Sequence, residues 1–258
     1  MREILRFEDV SLTYQAENGE VAALEKVNFH AAQGEQIAIV GPSGCGKSTL
    51  LSIVAGLEPQ THGKVYLDGQ VISGVSEKIG YMLQKDNLLQ WRTIRSNVLL
   101  GLEIRRMLTS ENIAYADKLL ETYGLEQFKD KYPSQLSGGM RQRAALIRTL
   151  ATRPQLLLLD EAFCALDYQT RLKVTDDVCR ILKKVGKTAL IVTHDIPEGI
   201  SMADRIVVMT PRPGRVKSIH KVDLENEGGA FASPLQRRTN PAFAGYFNMI
   251  WKELDMHV

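Results

Sequence analysis

The sequence predicts an α/β protein with a mostly parallel sheet core, an N-terminal antiparallel β subdomain and an inserted helical subdomain. Three observations predict it. Runs at 36–40, 156–159, 188–193 and 206–209 are apolar almost throughout, as parallel strands must be when helices cover both faces. The first 35 residues alternate instead, with Leu5, Phe7, Val10, Leu12 and Tyr14 apolar, the pattern of antiparallel strands. From about 85 to 135 the apolar residues recur at helical spacing.

Taken in order, the strand ending near Tyr14 and a second apolar run at 24–29 pair around a turn at Asn18-Gly19. The run 36–40 ends in a glycine-rich loop, and a helix begins near Lys47. Residues 63–69 read as a small hairpin element. The spacing predicts helices over 96–108 and 110–123, with Gly124 stopping the second. The helical insertion as a whole spans about 85–150. Strands then return at 156, 188 and 206. Residues 224–234 are polar and contain glycine, so they read as a linker closing a main domain of 1–223. Beyond them Phe243, Phe247, Ile250, Trp251 and Leu254 mark one face of a terminal helix in 224–258. That stripe reads as core docking, with a partner surface as the alternative.

Composition is that of a globular chain: 44% hydrophobic and 24% charged over 258 residues, enough for one large domain. A net charge of +2 provides no field that calls for nucleic acid or an anionic membrane. No apolar run approaches the roughly 18–20 residues that a membrane helix needs. The start, Met1-Arg2-Glu3-Ile4, lacks the apolar stretch of a secretory signal. Three cysteines, Cys45, Cys164 and Cys179, are an odd number at no metal-ligand spacing, which points to a reducing cytosol.

Gly41-Pro42-Ser43-Gly44-Cys45-Gly46-Lys47-Ser48, followed by Thr49, fits the phosphate-loop pattern G-x-x-x-x-G-K-[ST]. Glycines let the backbone wrap so that its N–H groups converge on phosphate, and the next helix adds its positive N-terminus. Lys47 supplies a point charge to the β- and γ-phosphates, and the Ser48 hydroxyl ligates Mg²⁺. ATP with Mg²⁺ is the expected ligand. Four leucines at 156–159 deliver two adjacent acids, Asp160 and Glu161. Acids ending a buried strand are costly unless they meet a cation or donors. Asp160 suits the metal shell, and Glu161 suits a base that polarises the attacking water.

Leu136-Ser137-Gly138-Gly139-Met140-Arg141-Gln142-Arg143 opens a helix with Ser137 as a natural N-cap and bare N–H groups at Gly138 and Gly139. Between the phosphate loop and the Asp160 strand, this segment resembles the signature sequence of ABC ATPases. The resemblance covers roughly residues 4 to 220 and locates further elements. Gln84, in Gly80-Tyr81-Met82-Leu83-Gln84, resembles the Q-loop glutamine that reaches Mg²⁺ and the attacking water. Ala165-Leu166-Asp167 resembles the D-loop, and His194 resembles the switch histidine near the γ-phosphate. Tyr14 lies where an aromatic stacks on adenine. Ala162 and Cys164 depart from the family's usual residues after the acid pair, and Met140 replaces a commoner glutamine. Cys45 sits near a helix N-terminus that could lower its pKa, so alkylation there is expected to block nucleotide binding.

Gln84-Lys85-Asp86-Asn87-Leu88-Leu89-Gln90-Trp91-Arg92-Thr93 and Pro211-Arg212-Pro213-Gly214-Arg215 resemble phrases of importer ATPases for nitrate, sulfonate and taurine. Trp91 reads either as an anchor for a membrane subunit or as insertion core. The resemblance implies a head-to-tail homodimer in which Ser137 and Gly139 of one copy cap the γ-phosphate held by Lys47 of the other. It implies integral membrane permease subunits and, indirectly, a solute-binding protein, with the chain peripheral on the cytoplasmic face of the membrane. Other readings are the ATPase subunit of a split exporter, a soluble non-transport ABC ATPase, and a module that holds ATP without turnover. Intact Glu161 and His194 argue against the last.

Overall fold

The computed structural model describes residues 2–16, 19–225 and 231–254. Asn18, in the predicted first turn, and residues 226–230 of the predicted linker lie outside the described residues. The chain opens with β1 (Glu3–Ala16), β2 (Gly19–Ala32), β3 (Gln36–Val40), helix α1 (Lys47–Val54), β4 (His62–Leu67) and β5 (Gln70–Val71). Strand β6 (Ile79–Met82) leads into helices α2 (Ile94–Ile104), α3 (Ser110–Thr122) and α4 (Gly138–Ala151). There follow β7 (Leu156–Asp160), α5 (Tyr168–Lys184), β8 (Thr188–Val192), α6 (Ile196–Met202) and β9 (Arg205–Met209). The chain closes with β10 (Val216–Lys221), α7 (Pro234–Thr239) and α8 (Phe243–Leu254).

Two sheets result. The first is antiparallel, in the order β2-β1-β4-β5, and the second runs β10-β9-β3-β8-β7-β6. The second is parallel except for the edge strand β10. As the uniform apolar runs predict, every residue of β3, β7 and β8 is buried. Their alternate side chains feed different cores. Leu156 and Leu158 pack with Ile37, Ile39 and the α1 leucines beneath the antiparallel sheet, whereas Leu157 and Leu159 pack with α4 and α5. In β1 the alternation slips between Phe7 and Val10, where the register shifts and Asp9 takes φ 48°. That irregularity keeps both apolar residues inside.

The helical stretch shares its core with the sheet, since Val98, Leu119 and Ile147 belong to the same cluster as Leu157 and Val178. Helix α2 begins after Thr93, whose hydroxyl accepts from Ser96 N at 3.2 Å, and ends at Ile104 rather than 108. Arg106 turns the chain at φ 55°, and Thr109 caps α3 by accepting from Asn112 N. These two local devices override the apolar pattern. Gly124 does stop the second helix, at φ 71°.

At the C-terminal end, Ile250 is fully buried, and Phe243, Tyr246, Phe247 and Leu254 pack with it on the β3–β9 face. Trp251 departs from the predicted stripe: it is 51% exposed and stacks on Phe247 outside the docked face, and Tyr246 takes the inner place. The described ends of the predicted linker are packed, with Leu224 and Ala232 buried. Arg237 of α7, itself buried, pairs with Glu225 and donates to Ala203 O at 2.7 Å. No helix among the described residues is long and apolar enough to cross a membrane.

Candidate active site

In the parallel sheet, Ile39 and Asp160 both stand level with Val192, and Met82 stands level with Leu159. The chain therefore leaves β3, β8, β7 and β6 along one carboxyl edge, the edge at which open α/β sheets bind ligands. From it emerge the 41–46 loop, His194, Glu161 and Gln84.

The loop turns at Gly44 (φ 75°) and Gly46 (φ 101°). At Gly46 a side chain is excluded twice over: its Cβ would also lie 2.7 Å from Leu24 Cδ2 and 3.0 Å from Ala23 O. Gly46 caps α1 without any side-chain hydrogen bond, so the helix begins with its N–H groups aimed into the loop. The buried Lys47 lies across it, Nζ donating to Gly41 O at 2.8 Å and Pro42 O at 2.9 Å. Ser43, Gly44, Gly46, Lys47, Ser48 and Thr49 line a cleft of about 200 Å³ together with Glu161 and Arg212.

Ser48 and Asp160 meet as expected, Oγ donating to Oδ1 at 2.9 Å, and Tyr81 donates to the other carboxylate oxygen at 3.1 Å. Burial, with Asp160 next to it, pushes the Tyr81 hydroxyl well above its ordinary range, so it remains a donor. Glu161 occupies φ 45° just past the strand end, a backbone conformation that costs a non-glycine residue on the order of 1 kcal/mol. Its Oε2 lies 3.3 Å from Gln84 Nε2 and 3.2 Å from His194 Nδ1. Two residues far apart in the sequence, Gln84 and His194, thus converge on the Glu161 carboxylate beside the phosphate loop. Thr193, before His194, donates to the buried Glu198 and accepts from Asp195 N at 3.0 Å, which holds the histidine's backbone.

Other predicted residues lie elsewhere. The Ser137 hydroxyl accepts from Met140 N at 3.3 Å, the predicted cap, and Gly138 lies against Leu166. Residues 137–139 do not line the Lys47 cleft. Asp167 caps α5 by accepting from Thr170 N at 3.0 Å, and that hydrogen bonding holds its carboxyl below the ordinary range. Tyr14 is exposed near the end of β1, outside the lining of the cleft. Trp91, at 75% exposed, is not insertion core.

The lowered pKa expected for Cys45 is not what the structure gives. Its side chain is buried, and burial pushes the thiol above its ordinary value despite Lys47 nearby. Desolvation of the thiolate outweighs the helix terminus. Arg212 lines the cleft as well, and nothing in the sequence singles it out individually as a site residue. The 211–215 phrase that carries it is bound to β2, Gly214 N donating to Ala23 O at 2.9 Å and Glu25 N donating to Gly214 O at 3.0 Å. The motif's proline and glycine were its one visible signal.

A family model described as ABC transporter matches residues 24–164. The chain is 47% identical over 251 residues to the uncharacterized ABC transporter ATP-binding protein YtlC of Bacillus subtilis, covering 97% of this chain and 95% of that one. To the taurine import ATP-binding protein TauB of Jannaschia sp. it is 38% identical over 252 residues, 96% and 94% of the two chains. Among solved structures it is similar to the ATP-binding cassette MJ0796 in a dimeric post-hydrolysis state bound to ADP and Pi. That likeness has a TM-score of 0.72 at 33% identity over 85% of this chain and 99% of that one. The chain belongs to the ABC transporter family, as an ATP-binding subunit whose ATP hydrolysis is coupled to transport.

Proposed function

We propose that this subunit powers an importer for a small solute of the nitrate, sulfonate or taurine class, and that it works as a head-to-tail homodimer. One observation carries the dimer: residues 137–139 open α4 with free-standing N–H groups, yet stand outside the cleft that holds Lys47. Ser137, Gly138 and Gly139 of one copy then complete the cleft of the other, with Asp167 at the shared seam. Supporting the importer reading, the relative from Jannaschia carries the name of a taurine import protein, and the solved neighbour is described as dimeric. Trp91 and the exposed Leu83 would meet the permease, with the subunit on the cytoplasmic face of the membrane. A solute-binding protein would act on it only through that permease.

Within the cleft, the N–H groups of 41–46 and Lys47 bind the phosphates, and Tyr14 stacks on the adenine. The Ser48 hydroxyl and an Asp160 oxygen, 2.9 Å apart, are the hard oxygen pair that suits Mg²⁺, with Gln84 reaching the same edge. When bound, Mg²⁺ neutralises charge on the phosphates. Glu161 accepts the proton of the attacking water, while His194 and Gln84 hold that carboxylate in place. Replacing Glu161 by Gln should lower turnover by roughly 10²–10⁴ while ATP binding persists and a dimer accumulates.

The decisive experiment mixes two inactive variants, Lys47→Ala and Ser137→Arg. A head-to-tail dimer leaves one intact composite site in each mixed pair, so activity returns on mixing. No recovery, with mixed dimers demonstrated, refutes the shared site. Reconstitution with the cognate permease tests the importer reading, which fails if solute and binding protein leave turnover unchanged.

A further inference from the structure

Cys164 has no part in the chemistry above, yet it stands beside the carboxylate that does. Its Sγ lies 3.9 Å from His194 Nδ1, and that nitrogen lies 3.2 Å from Glu161 Oε2. One donor atom from each of the three residues falls within 4.8 Å of the others. Tetrahedral zinc with bonds of about 2.0 Å to O and N and about 2.3 Å to S spaces its ligands about 3.3 Å (O to N) and 3.5 Å (S to N) apart. The observed spacing needs only small side-chain rotations to match. His194 is 53% exposed, which leaves a path in for an ion and a fourth position for water.

We propose that Glu161, Cys164 and His194 form a binding site for a thiophilic divalent cation, Zn²⁺ by ligand chemistry, and that its occupancy arrests hydrolysis. A carboxylate, a thiolate and an imidazole are the mixed donors that zinc accepts in tetrahedral sites. Mg²⁺, which demands oxygen ligands, does not compete for the sulfur. On coordination the Cys164 thiol proton leaves to solvent and a Zn–S bond replaces the S–H bond. Glu161 then spends its lone pair on the ion and cannot take a proton from water. No sequence spacing announces this site, because its ligands come from the ends of two neighbouring strands and the turn after one of them. The arrest rests on the reading of Glu161 given above; the site itself rests only on the three side chains.

Two measurements separate these parts. Co²⁺ is titrated into the full-length, nucleotide-free protein, and binding is read by the thiolate-to-cobalt charge-transfer band with the d–d bands of a tetrahedral ion. Zn²⁺ is then used to displace it. Wild type should bind one ion with the sulfur band. Cys164→Ser should lose that band and weaken binding by roughly tenfold or more, and His194→Gln should weaken it comparably. The absence of the band in wild type, or an unchanged band in Cys164→Ser, overturns the site. ATPase activity is measured in parallel at saturating Mg²⁺-ATP. Zn²⁺ should inhibit wild type and spare Cys164→Ser, whose basal turnover stays near wild type. Equal Zn²⁺ inhibition of both overturns the arrest. A bound ion without inhibition leaves the site standing and overturns the arrest, while the assignment of Glu161 as the base stands or falls on the Glu161→Gln variant.

Discussion

Replacing Gly214 by Ala tests whether the 211–215 segment holds the phosphate loop in shape. A Cβ there would lie 2.0 Å from Cys45 O and 2.9 Å from Met209 Cε. The methionine tip can swing aside, but the carbonyl belongs to a loop bound by Cys45 N to Pro42 O and by Lys47 Nζ to Gly41 O and Pro42 O. A carbon–oxygen contact normally needs about 3.3 Å, so the two backbones must separate by more than ~1 Å. Retreat of the other side is opposed by the two hydrogen bonds between Gly214 and β2. Overpacking of this kind costs about 1–3 kcal/mol, which lowers the melting temperature by roughly 2–6 °C for a chain of this size. A loop displaced on the order of 1 Å also places phosphate donors wrongly, with losses that can reach ~10²-fold. Thermal melting and equilibrium binding of ATP provide the readouts. Gly245→Ala, where a Cβ meets nothing within 4 Å, is the control. Wild-type melting and wild-type ATP affinity in Gly214→Ala would refute the proposed bracing.

Two further outcomes are expected. Arg212→Ala should weaken ATP binding by roughly 5- to 30-fold, the worth of one charge-assisted phosphate contact of about 1–2 kcal/mol, with unchanged melting. An unchanged dissociation constant would remove Arg212 from the cleft's chemistry. Glu198→Gln should alter stability in a pH-dependent way. Burial raises the Glu198 pKa in the fold, so its contribution is fully present below the unfolded pKa and is lost as pH rises through the folded one. An amide never ionises, so the variant gains on wild type as pH rises towards neutral and gains nothing in acid. Denaturation curves that keep a constant offset across that range would contradict this account.

Much of the site was readable in the sequence where the chemistry is local. The loop at 41–49 and the acids after the leucine run are contiguous in the chain, and a strand end is enough to aim them. The all-apolar strands were readable for the same reason, since burial on both faces leaves no alternative composition. What escaped depends on distant packing. Arg212 reaches the cleft because Gly214 lies against Cys45 O and β2, a contact no window of residues reveals. Cys45 was misjudged because its neighbour in sequence is a helix terminus, while its burial comes from the surrounding chain. Strand β10 escaped because it is a half-wet edge strand with alternating burial. Trp251 was assigned to the docked face by periodicity, yet Tyr246 supplies that contact.

Two half-buried arginines of α4 carry one more consequence. Arg148 donates to Asn87 O and Asp86 O, both at 2.7 Å, and Arg141 Nε pairs with Asp86 at 3.1 Å. Hydrogen bonds from a charged donor are worth about 1.5–3 kcal/mol each, so parting residues 86–87 from α4 costs more than the ~1–3 kcal/mol by which distant sites usually influence one another. The stretch leading to Trp91 and the helix that begins at Ser137 therefore behave as one stiff lever. A displacement of residues 86–87 is carried into α4 through these three bonds.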